Sequence, residues 1–152
     1  MGKVEPMVSE SSDDWYEAII SAQPEGPGLS EKNRDTFNDA FDYFTSGSYD
    51  MAYTGFSELA SQGSSICQYY LGVMYASGMG VLQDFGQAHM WLNIASSQGH
   101  KKARRQLEKL THHMTADQIA DAQKRARQWV SKHSKGENHP KSEQPEPEGN
   151  LA

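Results

Sequence analysis

The chain has 152 residues, enough for one domain, and its apolar fraction of 36% lies below the usual ~45–50%. The net charge is −6 and there is one cysteine, Cys67, which forms no internal disulfide and gives no sign of an oxidising compartment. No apolar stretch approaches the ~18 residues of a membrane span, and the start, MGKVEPMVSE, lacks the apolar run of a secretory signal. These features point to a soluble cytoplasmic protein without a membrane partner.

The charge is segregated along the chain. Residues 1–60 carry 12 acids and 3 bases, residues 61–100 only Asp84, residues 101–135 10 bases and 3 acids, and residues 136–152 4 acids and 1 base.

Residues 1–11 read as a disordered arm. Over 12–29, the run DDWYEAIISAQ suits a short capping helix with Trp15, Ile19 and Ala22 on one face, and PEGPG ends it. Ser30 is placed to cap a helix whose Phe37, Ala40, Phe41 and Phe44 form an i, i+3, i+4, i+7 stripe. Gly47 ends that helix. The next runs from about Tyr49 to Gly63, with Ala52, Tyr53, Phe56, Leu59 and Ala60 inward and Gly55 allowing close approach of its neighbour.

Residues 64–99 hold two more helices. The first carries Cys67, Leu71, Val73 (or Met74) and Tyr75; the second carries Phe85, Ala88, Trp91, Leu92 and Ala95. This unit repeats the one before it. Phe37-x-x-Ala40-Phe41-x-x-Phe44 aligns with Gln68-x-x-Leu71-Gly72-x-x-Tyr75, Gly47 with Gly78, Ala52 with Ala88, and Gln62-Gly63 with Gln98-Gly99, the two ends lying 36 residues apart. A helix pair recurring at such a period marks an α-solenoid. A third copy starts after Gly99 with a short basic helix containing Ala103 and Leu107. A closing helix follows, with Thr115 and Gln118 at capping-box spacing and Ile119, Ala122, Ala126 and Trp129 on one stripe. The expected organisation is thus a degenerate repeat at 30–63, a full repeat at 64–99, a partial repeat with its cap at 100–133 and a disordered tail at 134–152.

Residues 64–99 resemble the Sel-one-like repeat, a relative of the tetratricopeptide repeat. The residues that carry the likeness are Leu71, Gly72, Tyr75, Gly78, Gly80, Val81, Asp84, Phe85, Ala88, Trp91, Ala95, Gln98 and Gly99. The segment from Met114 to Trp129 is similar to the helix that often closes bacterial members. The resemblance implies an all-α, right-handed superhelix of antiparallel helix pairs and a non-enzymatic adaptor or scaffold role. The matched residues are structural: Gly72 for close helix approach, Tyr75 and Trp91 as spacers, Gly78 and Gly80 for loop backbone.

Counting from the tetratricopeptide relatives, the first helix of each pair lines a concave groove. The exposed positions are then Ile66, Tyr69, Val73 and Ala76 in the central unit. They are Asp35, Asn38, Asp42 and Thr45 in the first unit, and Lys102, Arg105, Lys109 and His112 in the third. Such a groove is acidic at one end, apolar in the middle and basic at the other, and suits an extended peptide or helix of a partner protein. Catalytic and cofactor chemistry finds no motif. His112 and His113 are adjacent and point about 100° apart on a helix, and no nucleophile or phosphate loop is present. Neither a small-molecule substrate nor a cofactor is expected, and the oligomeric state is expected to be monomer or weak homodimer. The alternative reading is a nucleic-acid or other polyanion interface over residues 101–135, through Lys101, Lys102, Arg104, Arg105, Lys124, Arg125, Arg127 and Lys132.

Overall fold

The computed structural model describes residues 30–136. The arm at 1–11, the capping helix expected at 12–29 and the chain beyond 136 lie outside the described residues. Six helices and no strand make up the described chain: α1 (Glu31–Ser46), α2 (Tyr49–Ser61), α3 (Ser65–Ser77), α4 (Phe85–Ser97), α5 (Lys101–Thr111) and α6 (Ala116–Gly136).

The helix starts follow the side chains that satisfy free backbone N–H groups. Ser30 Oγ accepts from Asn33 N at 3.2 Å, Ser64 Oγ from Cys67 N at 3.3 Å, and Asp84 Oδ1 from Gln87 N at 3.0 Å. Before α6 the capping box is complete. Gln118 N donates to Thr115 Oγ1 at 3.2 Å, and Thr115 N donates to Gln118 Oε1 at 2.9 Å. Gly78 and Gly80 both take left-handed φ, +72° and +75°, in the loop between α3 and α4. The closing helix runs to Gly136, past the boundary expected at 133. The His133 ring stacks on Trp129 at 3.8 Å, and its Nδ1 lies 2.9 Å from the Trp129 carbonyl, holding the last turns together.

The core is aromatic where the first two units meet. Tyr70 on α3 lies at its centre, parallel to Phe56 at 4.6 Å, with Phe44 at 5.5 Å, Phe37 at 6.1 Å and Phe41 at 6.2 Å around it. Val73 and Met74 are both buried. Every residue from Cys67 to Met74 is buried, so α3 is a central helix enclosed on all sides rather than a two-faced one.

Within each unit the two helices approach at a small residue, but on opposite partners. A Cβ on Gly72 of α3 would sit 2.5 Å from Leu92 Cγ of α4. In the degenerate unit the small residue is on the second helix, where a Cβ on Gly55 would sit 2.8 Å from Ala40 Cβ. Polar contacts then join the units. Buried Gln68 donates to the Ala60 carbonyl of the preceding unit at 3.1 Å and accepts from Gln98 Nε2 at 2.6 Å. Tyr53 and Tyr75 link α2 to α3 hydroxyl to hydroxyl at 2.9 Å. The basic α5 packs on α4 and α3, whereas α6 lays Ala126 and Trp129 against Met90, Ile94 and Trp91 of α4. That contact closes the array.

Candidate partner-binding surface

The first helices of the three units are α1, α3 and α5. On α1, Asp35, Asn38, Asp42 and Thr45 are exposed. On α5, Arg105 is exposed, and so is His112 just beyond it; Lys102 and Lys109 are half-buried and already make contacts. The middle of the expected groove is different. Ile66 is half-buried, but Tyr69 and Val73 are 1% exposed and Ala76 is fully buried. They do not form an open apolar floor. The Tyr69 ring is stacked on His100 at 4.9 Å and meets Tyr70 edge-on at 5.5 Å, and Val73 belongs to the main core. Position counting assumes one free face on each first helix, and α3 has none.

What the described surface offers is charge at its two ends. α1 exposes Glu31, Asp35, Asp39 and Asp42 against Lys32 and Arg34, while α5 exposes Lys101, Arg104 and Arg105 against Glu108. In α6, Lys124, Arg127 and Lys132 are exposed, and Arg125 is held by Asp121 at 3.1 Å.

His100 has a role that its sequence position does not announce. Its Nδ1 accepts from Ala103 N at 3.1 Å, so the imidazole caps α5. A protonated ring carries hydrogen on both nitrogens and cannot accept. Burial, and then the charge of Lys102, hold the His100 pKa below the ordinary value; burial does the same at His89, whose Nδ1 has no hydrogen-bond partner. The unfolded chain takes up these protons near pH ~6.5, the folded chain only at lower pH. The unfolded state therefore binds more protons between those values, so stability is fully present above about pH 6.5 and is lost as the pH falls through that range. We expect the melting temperature to drop from pH 7 to pH 5. His100→Asn, which keeps a capping acceptor without titrating, should shrink that drop in scanning calorimetry. An unchanged pH profile in the variant would place the effect at His89.

Cys67 is a free cysteine with no exposed surface. Burial pushes its pKa up to about 12, against a weaker opposing hydrogen bond from Ser64. Burial, followed by the Tyr53 hydrogen bond, also raises the Tyr75 phenol. Among the described residues no group of three or more His, Cys, Asp or Glu side chains is placed to hold a metal ion, and no helix is long and apolar enough to cross a membrane.

A feature not read from the sequence is a cavity of about 560 Å³ between the ends of α2 and α4 and the last turns of α6. Gln62, Ile94, Gln98, Trp129, Val130 and Lys132 line it. It is formed by three segments far apart in sequence, around 62, 98 and 130, so no local pattern marks it.

The Sel1 repeat family model matches residues 65–100. A solved structure, that of a protective antigen present in uropathogenic Escherichia coli strains and displaying an SLR fold, is similar with a TM-score of 0.63 and 22% identity. The likeness covers 94% of this chain and 32% of that one, so this chain spans about a third of the antigen's length. No curated protein matches. Repeats of this kind are generally protein-interaction modules. The helix pairs, their capped ends and the matched residues agree: residues 65–100 match the Sel1 repeat, and the described chain has an α-solenoid fold similar to that SLR-fold structure.

Proposed function

We propose that the chain is a non-enzymatic interaction module that holds a segment of a partner protein between the exposed sides of α1 and α5. One observation carries this reading: the two first helices flanking the enclosed α3 expose charge of opposite sign, with Asp35, Asp39 and Asp42 on one and Lys101, Arg104 and Arg105 on the other. A segment with a basic end and an acidic end is fixed in register by such a surface, and charge of this kind acts mainly on association rate and specificity. With Tyr69 and Val73 buried, the centre contributes little contact beyond half-buried Ile66. Affinity then rests on the ends and falls steeply with salt.

The test reverses each end separately. Asp35→Lys with Asp42→Lys, and Arg104→Glu with Arg105→Glu, alter only exposed side chains, so each substitution should change the unfolding free energy by no more than roughly ±0.5 kcal/mol. Each pair should reduce crosslinked capture of the same partner by roughly tenfold at low salt. Equal capture by wild type and both variants sinks the reading. Loss with only one pair would confine the interface to that end.

A further inference from the structure

Outside the surface just described, α6 carries an exposed basic and polar stripe. Lys124, Arg127, Gln128, Ser131 and Lys132 lie at helical spacings of three, four, seven and eight, on one side of the helix, and line a shallow depression of about 640 Å³. The three cations are exposed, and among the described residues no carboxylate pairs with them. Arg125, on the neighbouring face, is the one engaged by Asp121. Lys132 also lines the cavity that Ile94, Trp129 and Val130 share with Gln62, Gln98 and His133, and Val130 is 40% exposed. The row of cations therefore runs to a hollow of mixed lining, in which Ile94, Trp129 and Val130 supply the apolar part. Its complement is an acidic segment that also carries an aliphatic side chain.

We propose that the occupant is the chain's own segment 137–152, returning along α6. It holds Glu137, Glu143, Glu146 and Glu148 against Lys141, and its one leucine, Leu151, is the aliphatic group for the hollow. It continues directly from α6, which ends at Gly136. The stripe reaches back twelve residues from that end, roughly 18 Å at the helical rise of about 1.5 Å per residue. An extended chain covers about 3.3 Å per residue, so these residues can span the stripe twice over. Ion pairs on an exposed helix are individually weak, but a short tether gives an effective concentration on the order of millimolar. Docked in this way, the segment keeps other acidic ligands off α6 until one displaces it. The proposal shares no side chain with the α1–α5 surface and does not depend on it.

The experiment uses the full chain carrying Ser142→Cys, labelled with a nitroxide; the buried Cys67 thiol stays unlabelled. We expect amide signals of Lys124, Arg127 and Gln128 to be broadened several-fold more than in the same protein with the four glutamates changed to Gln. The same loss of broadening is expected with Lys124→Glu, Arg127→Glu and Lys132→Glu together, and at 1 M salt, where the screening length is about 3 Å. Leu151→Ala should release the Trp129 indole signal while leaving part of the broadening along the stripe. Equal broadening in the wild-type, glutamine and charge-reversed proteins overturns the proposal, because a tethered label that merely samples nearby space gives that result. It is also overturned if a label at Ser9→Cys, in the acidic N-terminal arm, broadens the stripe and the label at position 142 does not.

Discussion

Replacing Tyr70 with alanine should cost about 4 kcal/mol, the range found for deleting large buried aromatic side chains. The total stability of a domain is only roughly 5–15 kcal/mol, so the substitution is expected to remove between about a quarter and four-fifths of it. The reason is position as well as size. The Tyr70 ring is fully buried and touches aromatic side chains of both α1 and α2: it stacks on Phe56, meets Phe41 edge-on and lies tilted against Phe37 and Phe44. Its removal opens a cavity at the seam between the first two units, where no single side chain can move in to fill it. Tyr70→Phe keeps the ring and should lose far less. Urea unfolding followed by tryptophan fluorescence and circular dichroism measures both. A loss under about 1 kcal/mol for Tyr70→Ala would show that the seam repacks and that the units are less interdependent than the rings imply.

Gly72→Val is expected to cost about 2 kcal/mol through overpacking, even though glycine is itself a poor helix former. The added Cβ would fall 2.5 Å from Leu92 Cγ and 2.6 Å from Leu92 Cδ2, both in a side chain with no exposed surface. The diagnostic is the double variant. Leu92→Ala alone leaves a hole, Gly72→Val alone leaves a clash, and together each relieves the other. The pair should therefore lose at least about 1 kcal/mol less than the sum of the singles. Strict additivity would place the strain of Gly72→Val elsewhere.

Much of this architecture is legible in the sequence because short-range rules fix it. Ser30, Thr115 and Gln118 announce helix starts by chemistry that needs only neighbouring N–H groups, and the structure uses all three. Gly55 and Gly72 announce close approach because no other residue leaves that space. The 36-residue offset between Gly63 and Gly99 shows that one helix pair follows another. The surface was less legible. Counting from relatives puts Tyr69 and Val73 on the one open face of a first helix, but α3 is buried all round from Cys67 to Met74, and no periodicity can then mark which side faces out. The acidic and basic ends, Asp35 and Asp42 on α1 and Arg105 on α5, are exposed as expected, because an isolated charge has little reason to be anywhere else. His100 was invisible as a cap because histidine is not among the residues favoured there. Only the turn of the backbone around it brings Nδ1 to Ala103 N.

The opposite placement of the small residue in the two units has a consequence for how such a protein can change its length. By the repeat alignment, Phe41 occupies in α1 the place that Gly72 occupies in α3, and Phe56 in α2 answers to Leu92 in α4. A recombinant hairpin joining α1 to α4 would set a phenylalanine where even a methyl group meets Leu92 at 2.5 Å. Helices from the two hairpins are therefore not exchangeable parts. Crossovers inside a hairpin should yield unfolded products, while insertion of a whole 64–99 block should be accepted.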